Sequence, residues 1–354
     1  NHDYHAASYQ NGKALSDAEK GESILFNKAK AWQIITGEDS FPGEVCSYEV
    51  KGYTFLISHW GAEDGIGEWF KTHSEPSGKP IFHIRHSHPK STCYGPWATG
   101  IGRGCKTLMA HPNVFVLSGH SHINLGNDCG LWQGGFVSMG CGSARIPALG
   151  AFEGKYDNVP VKSIQNRHWH TQPPKGKAWQ ASLITVYEHE ITIERRDFFF
   201  EPKGESIGSM WTLGFPFQHD AKQPYAIANS ALPPQFPAKA KVSIRKGKGR
   251  RRPENEVENQ IVFSVSASAL SDGEYSRACF YRFDVCSEDN QAIVSRSVVQ
   301  DGWMNAEARC VKKSVICAFA EEELPQGVSV KVRVTPMNAV LREGRPLEAG
   351  PFAL

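Results

Sequence analysis

The chain has 354 residues, of which 40% are hydrophobic and 21% are charged, a composition typical of a globular protein with room for two domains. Its formal net charge of +2 favours no particular class of partner. No apolar run is long enough to cross a bilayer, so the sequence predicts no membrane span.

The first part of the chain alternates helical patterns with short apolar strands. In chain order the patterns predict a helix over 17–35, a hairpin over 48–57 with its turn at Lys51-Gly52, and a helix over 63–73. They then predict strands over 80–84, 113–118 and 136–140, with a helix over 103–110 between the first two of these strands. The last predicted element of this part is a hairpin over 181–198. This alternation predicts an α/β domain over residues 1–215, with a functional site at the carboxyl edge of its sheet.

Two of the predicted strands end in histidines. The strand over 113–118 leads into Gly119-His120-Ser121-His122, and the strand over 80–84 leads into Arg85-His86-Ser87-His88. In an extended segment, side chains at i and i+2 point to the same side, so each pair is expected to face one cavity. Because neutral imidazole is a common transition-metal ligand, this pattern favours a metal site over surface histidines. His83, inside its strand, is expected to be packed and hydrogen-bonded.

The second part of the chain has a different pattern. Five prolines interrupt residues 216–238, which predicts a linker. Beyond it, short β-rich runs at 240–244, 260–268, 275–286, 292–299, 314–319 and 328–336 predict an antiparallel β-sandwich, an accessory domain over 239–354.

A basic run lies between the predicted linker and the sandwich. It consists of Lys239, Lys241, Arg245, Lys246, Lys248, Arg250, Arg251 and Arg252. No aromatic residue interrupts it and glutamates follow at once, so a solvated loop is favoured over a nucleic-acid surface. No nucleic-acid partner is therefore expected.

Nine cysteines prevent complete pairing within the chain, and the absence of Cys-x-x-Cys argues against a cysteine zinc site. Cys279 with Cys317, and Cys286 with Cys310, would fall in one antiparallel register if their strands were neighbours. Buried free thiols are favoured over bridges at these positions.

Three motifs in order resemble the calcineurin-like metallophosphoesterases. They are Asn1-His2-Asp3, the strand that ends at His86, and the strand that ends in Gly119-His120-Ser121-His122, and the resemblance covers roughly residues 1–200. The C-terminal part, with Val334-Thr335-Pro336-Met337-Asn338 near its end, more loosely resembles a fibronectin-type or immunoglobulin-like sandwich.

The resemblance implies a fold, a cofactor and an activity. The fold would be an α/β β-sheet sandwich flanked by helices, incomplete at its N-terminus. Two divalent metal ions (Mn, Fe or Zn) would be bound by Asn1, His86 and His120 for one metal and by His122 for the other. The metals would activate a hydroxide to hydrolyse a phosphate monoester or diester.

The remaining roles also follow from the resemblance. His2 would protonate the leaving group, with Asp3 orienting its imidazole. His88 would contact substrate or replace His86 as the ligand, since Ser87 and His88 separate His86 from Pro89, unlike in the family. Tyr94, Trp97 and Arg103 follow this loop and line the pocket, or else belong to core or surface.

The family's two earlier motifs, Asp-x-His and Gly-Asp, would precede Asn1. We therefore expect the chain to be an N-terminally truncated fragment that is inactive alone and binds at most one metal weakly. The alternative is a non-catalytic binding protein on a degenerate phosphoesterase scaffold. The expected partner is a small or polymeric phosphoester, and an accessory sandwich slightly favours an exported bacterial protein.

Overall fold

In a computed structural model, the described part of the chain comprises residues 9–10, 13–14, 16, 32–34, 36–73, 75, 78–93, 100–120, 122, 125–143, 155–156, 159–160, 179–199, 201–208, 210–222, 224–225, 233–249, 256–266, 278, 280–300, 314–338 and 342–354. Most of the helix predicted over 17–35 lies outside these residues, although 32–34 are helical.

A six-stranded mixed sheet forms the centre of the first region. Its strands, in the order β1-β2-β3-β4-β6-β5, are β1 (Val45–Val50), β2 (Tyr53–Ser58), β3 (Ile81–Arg85), β4 (Val114–Ser118), β6 (Val137–Gly140) and β5 (Leu131–Trp132). The pairs β2–β3, β3–β4 and β4–β6 are parallel, whereas the two outer pairs are antiparallel. Three of the four inner strands, β3, β4 and β6, are almost entirely buried because both faces of the sheet are covered.

The hairpin β1–β2 forms as predicted, with Lys51 at φ 52° and Gly52 at φ 77° in its two-residue turn. Positive φ at both central residues is the requirement of the type I′ turn, whose twist matches that of the strands. The hairpin predicted over 181–198 is also confirmed, as β7 (Gln180–Val186) and β8 (Glu190–Asp197) pair over their full length.

One face of the mixed sheet packs against a second, antiparallel sheet. This sheet consists of β7, β8, β9 (Glu205–Ser206) and β10 (Trp211–Gly214), with β8 pairing to the other three. Their common core contains Phe82, Phe115, Leu131, Val137, Met139, Ile191, Ile193, Trp211, Leu213, Phe215 and Phe217. Removing this apolar surface from water stabilises the contact by about 25 cal/mol per Å².

The opposite face is covered by two short helices and their loops. Helix α1 (Ile66–Thr72) follows a 3-10 turn at Glu63–Gly65, and helix α2 (Cys105–Met109) follows Gly104. Gly104 has φ 73°, and a Cβ there would lie 2.6 Å from the Glu63 carbonyl oxygen, so glycine is required. The core of this face contains Leu56, Ile66, Trp69, Ile81, Cys93, Leu108, Val114, Val116, Trp132 and Phe136.

The predicted α/β sandwich flanked by helices is wrong. Of the described residues, about 46% are in strands and 10% in helices, and these strands form several separate sheets that are mostly antiparallel. The helical patterns over 63–73 and 103–110 yield helices of seven and five residues. One face of the mixed sheet is covered by a second sheet and not by a helical layer, through the core that Phe82 and Phe115 share with Ile191 and Ile193.

In the described residues of the C-terminal region, seven antiparallel strands form two sheets. One has the order β11-β12-β15 and the other β14-β13-β16-β17, and the strands are β11 (Val242–Gly249), β12 (Glu258–Val265), β13 (Phe280–Cys286), β14 (Ala292–Val299), β15 (Val315–Ala320), β16 (Ser329–Met337) and β17 (Leu347–Ala353). Both sheets contribute to one core, which includes Phe263, Tyr281, Phe283, Phe319 and Val332.

The basic run is not a loop over its whole length, contrary to the prediction. Arg245, Lys246 and Lys248 lie in β11, at the edge of its sheet, and Lys246 is 3.4 Å from the carboxylate of Glu321. Charged side chains on an edge strand hinder pairing with another chain. Charge in this position needs no nucleic-acid partner to explain it.

The register argument for disulfides does not apply to the two described cysteines of the C-terminal set. Cys286 lies in β13 and Cys317 in β15, which belong to different sheets, and both are free thiols. Cys279 and Cys310 lie outside the described residues. Burial raises the pKa of the Cys317 thiol, as expected of a packed cysteine.

The predicted linker contacts both regions. Phe217 is buried in the core between the first two sheets, Tyr225 packs against the opposite face and donates a hydrogen bond to the Thr92 carbonyl at 2.6 Å, and Phe236 packs against the C-terminal core. The division into domains at 1–215, 216–238 and 239–354 stays a prediction.

Within the described part of the chain, no helix is both long and apolar enough to cross a membrane. The described residues also include two short ladders, Tyr9–Gln10 with Lys13–Ala14 and Lys155–Tyr156 with Val159–Pro160.

Candidate functional site

The predicted site lies where adjacent parallel strands end. In β3 and β4, Arg85 is paired with Ser118, so the residues that follow these strands emerge side by side. The carbonyl of His86 accepts hydrogen bonds from the N–H groups of Gly119 (3.0 Å) and His120 (2.9 Å). These bonds fix the two strand ends together one residue beyond the sheet.

The side chains of His86 and His120 are in direct contact. His120 Nδ1 lies 2.9 Å from His86 Nε2, and the ring centroids are 4.6 Å apart. Both residues are partly exposed to solvent. Two neutral imidazoles at this distance share one hydrogen bond, with one nitrogen donating and the other accepting.

The same distance suits two ligands of one metal ion. Metal–imidazole bonds of about 2.1 Å at an angle near 90° would place two ligand nitrogens about 3 Å apart. The donor set therefore fits part of a metal shell. Within the described ranges, however, no group of three or more His, Cys, Asp or Glu side chains is placed to hold a metal.

His88 is completely buried, unlike His86. Burial, followed by the charges of Arg85 and His120, lowers its pKa from 6.5 to about 3, so the imidazole is neutral at physiological pH. Its backbone carbonyl accepts the N–H of Ile101 at 3.1 Å. Of the two candidates on this loop, it is His86 whose ring contacts His120.

The alternation argument does not hold for these histidines. β4 ends at Ser118, and His122 has φ 53°, in the left-handed region, with its N–H donating to the Gly119 carbonyl at 3.1 Å. Likewise, β3 ends at Arg85 and the chain bends at His86. A period of two applies only within a strand, so neither pair shares a face for the reason that the sequence suggested.

Arg85 holds the histidine loop in place. Its side chain is buried, with Nε donating to the Ser87 carbonyl at 2.7 Å and Nη1 donating to the Arg103 carbonyl at 3.2 Å. Burial lowers the pKa of the guanidinium, and the carboxylate of the buried Glu63 opposes that shift. The last residue of β3 thus connects the His86 loop to the segment before α2.

Sequence reasoning missed Trp60. It follows β2 by two residues, and its ring centroid lies 6.4 Å from that of His86 in an edge-to-face arrangement. Because β2 is parallel to β3, Trp60 emerges at the same edge of the sheet as the histidine pair. Its position just after an apolar strand, like that of His86, was the signal that could have identified it.

Several predicted residues lie outside the described part of the chain. These are Asn1, His2, Asp3, Tyr94 and Trp97. The metal-ligand and proton-donor roles of the first three stay predictions, as do the ligand role of His122 and the substrate role of His88.

No family model, curated protein or solved structure matches this chain.

Proposed function

We propose that this protein hydrolyses phosphate monoesters or diesters with the help of bound divalent metal ions, at the edge of the mixed sheet where His86 and His120 meet. The observation that carries the proposal is the 2.9 Å contact between His86 Nε2 and His120 Nδ1 at the carboxyl ends of two neighbouring parallel strands. Residues 34 positions apart in sequence are brought together there with the spacing of two ligands of one ion.

In the proposal, His86 and His120 hold one metal together with Asn1, and His122 belongs to the second. When bound, a pair of divalent ions supplies a hydroxide near neutral pH and offsets charge on the phosphoryl oxygens. Mn, Fe and Zn all accept imidazole and oxygen ligands. Arg85 maintains the loop geometry that keeps the His86 ring against His120, through its hydrogen bonds to the Ser87 and Arg103 carbonyls.

The proton for the leaving group comes from His2 in this proposal. An imidazole oriented by a carboxylate, here Asp3, is a suitable general acid near neutral pH. His2→Ala should therefore reduce the hydrolysis rate far more than the metal content, because His2 is a proton donor and not a ligand.

A non-catalytic protein that binds phosphoesters is the second candidate. It is favoured by one observation, that the described residues bring two imidazoles together but no third ligand of the His, Cys, Asp or Glu type. Such a protein would bind its ligand without turning it over, so a combined measurement of metal content and hydrolysis separates the two candidates.

The test uses the wild-type protein equilibrated separately with Mn²⁺, Fe²⁺ and Zn²⁺. Metal content is measured by mass spectrometry, and hydrolysis is measured on p-nitrophenyl phosphate and bis-p-nitrophenyl phosphate. His86→Ala and His120→Ala should each lower metal affinity by about tenfold or more and should reduce hydrolysis accordingly. His189→Ala is the matched control, since His189 is exposed in the turn between β7 and β8. Circular dichroism checks that each variant folds.

Unchanged metal content and hydrolysis in both histidine variants would overturn the proposal. Metal binding that depends on both histidines, without any hydrolysis by the wild-type protein, would instead support the binding protein.

A further inference from the structure

An exposed tryptophan lies next to the histidine pair. Trp60 is 38% exposed, whereas Trp69, Trp132 and Trp211 in the same region are buried at 8%, 9% and 1% exposure. Its ring contacts that of His86, with centroids 6.4 Å apart and planes inclined at 71°. The indole of Trp60 thus presents an aromatic surface to solvent while it contacts His86, a residue of the proposed site.

A positive charge lies beside Gly61, the residue that follows this tryptophan. Nη1 of Arg103 is 3.6 Å from the position that a Cβ would take on Gly61, the residue after Trp60. The Arg103 side chain is 53% exposed and its Nη1 is 3.8 Å from Oε2 of the buried Glu63, while its backbone carbonyl is held by Arg85. Glu63 therefore holds the guanidinium beside Gly61, the residue that follows Trp60.

We propose that Trp60 and Arg103 form a substrate-recognition edge that selects phosphoesters carrying a flat aromatic group, such as a nucleobase or an aryl group. The inference rests on the proposed function for the location of the phosphoryl group at His86 and His120. Trp60 stacks on the aromatic group, and Arg103 attracts the anionic part of the same molecule.

Stacking explains why the selection would be for flat rings in general. Any base or aryl ring has a π-face, and removing one aromatic partner commonly weakens binding by about 5- to 100-fold. An alkyl or sugar phosphate has no such face, so it gains nothing from Trp60. Arg103 acts on charge and should favour both kinds of ligand equally.

The test compares the binding of adenosine 5′-monophosphate and ribose 5-phosphate by calorimetry, with metal chelated to prevent turnover and again with Mn²⁺ while hydrolysis is followed in parallel. Trp60→Ala should weaken binding of the adenine compound by about 5- to 100-fold and leave ribose 5-phosphate unchanged, whereas Trp60→Phe should retain much of the preference. Arg103→Gln should weaken binding of both ligands by a similar factor, and Arg103→Lys should restore part of it.

Trp179→Ala is the matched control, because Trp179 is also exposed (48%) and also lies edge-on to another ring, that of Phe199, but belongs to the second sheet region. The inference is overturned if wild-type protein with Mn²⁺ binds the two ligands equally or binds neither, or if Trp60→Ala leaves the preference for adenine unchanged. A preference that depends on Trp60 without any hydrolysis would overturn the proposed hydrolysis alone and leave the recognition edge standing.

Discussion

Replacing His83 should remove a defined part of the pH dependence of stability. His83 lies inside β3 with no exposed surface, and its Nε2 is 2.9 Å from Oγ of Ser58 in the neighbouring strand β2. Burial, and to a lesser extent the charge of Arg85, lowers its pKa from 6.5 to about 3. The folded protein therefore keeps this imidazole neutral over a pH range in which the unfolded chain protonates it.

The sign and size of the effect follow from proton linkage. Between about pH 6.5 and pH 3 the unfolded state binds one more proton at His83 than the folded state, so the free energy of unfolding falls as the pH falls. The stability is fully present about one pH unit above 6.5, begins to fall through pH 6.5, and is lost at about 1.4 kcal/mol per pH unit well below it. At pH 4.5 the loss relative to high pH amounts to roughly 3 kcal/mol.

Urea unfolding at pH 4.5 to 7.5, followed by tryptophan fluorescence, measures this slope. Eight of the nine tryptophans precede residue 215, so the signal reports mainly on the region that contains His83. His83→Leu should cost about 1–3 kcal/mol at pH 7.5, because it leaves the Ser58 hydroxyl without this partner. The slope of stability against pH should fall by about 1.4 kcal/mol per unit, so the cost shrinks or reverses at pH 4.5.

Ser58→Ala is the matched control, since it removes the hydrogen bond but keeps the buried imidazole. It should lower stability across the whole pH range with the wild-type slope. An unchanged slope in His83→Leu would refute the reasoning, because the acid sensitivity would then arise elsewhere.

Three further experiments test the packing. Phe115→Ala, between the first two sheets, should cost about 3–5 kcal/mol in urea unfolding, whereas Ile84→Ala at a 40% exposed position should cost much less; similar costs would contradict the sheet-on-sheet core. Burial raises the pKa of the Cys93 thiol to about 12, so this thiol should react with iodoacetamide at pH 8 only after the protein unfolds. Mass spectrometry follows the labelling, and labelling of the folded protein at the rate of the unfolded protein would contradict the burial of Cys93. Asp284→Ala should destabilise the C-terminal region by about 3 kcal/mol, because the buried carboxylate of Asp284 binds two partly exposed arginines. Asp284→Asn should cost less, because its side chain can still accept the hydrogen bond from the Ser295 hydroxyl. Equal losses in the two variants would show that the bond to Ser295 contributes little.

Much of the local structure could be predicted from the sequence. The hairpin at Lys51-Gly52, the apolar strands before His86 and His120, and the packed state of His83 all follow from short patterns. Such patterns are reliable because turn chemistry and the period of two act between near neighbours in the chain. The helical layers predicted around the sheet failed, because a second sheet covers a face for which the sequence pattern suggested helices.

The sequence by itself determined where the strands lie and that histidines follow two of them. Only the tertiary structure decided that β3 and β4 are neighbours in parallel register, that His86 contacts His120 while His88 is buried, and that Trp60 reaches the same edge. These facts depend on pairings between residues 25 to 40 positions apart in the chain, whereas sequence patterns report only on the next few residues. Beyond the end of a strand its periodicity no longer fixes where a side chain points, and the hydrogen bonds of the loop, such as those from Gly119 and His120 to the His86 carbonyl, fix it instead.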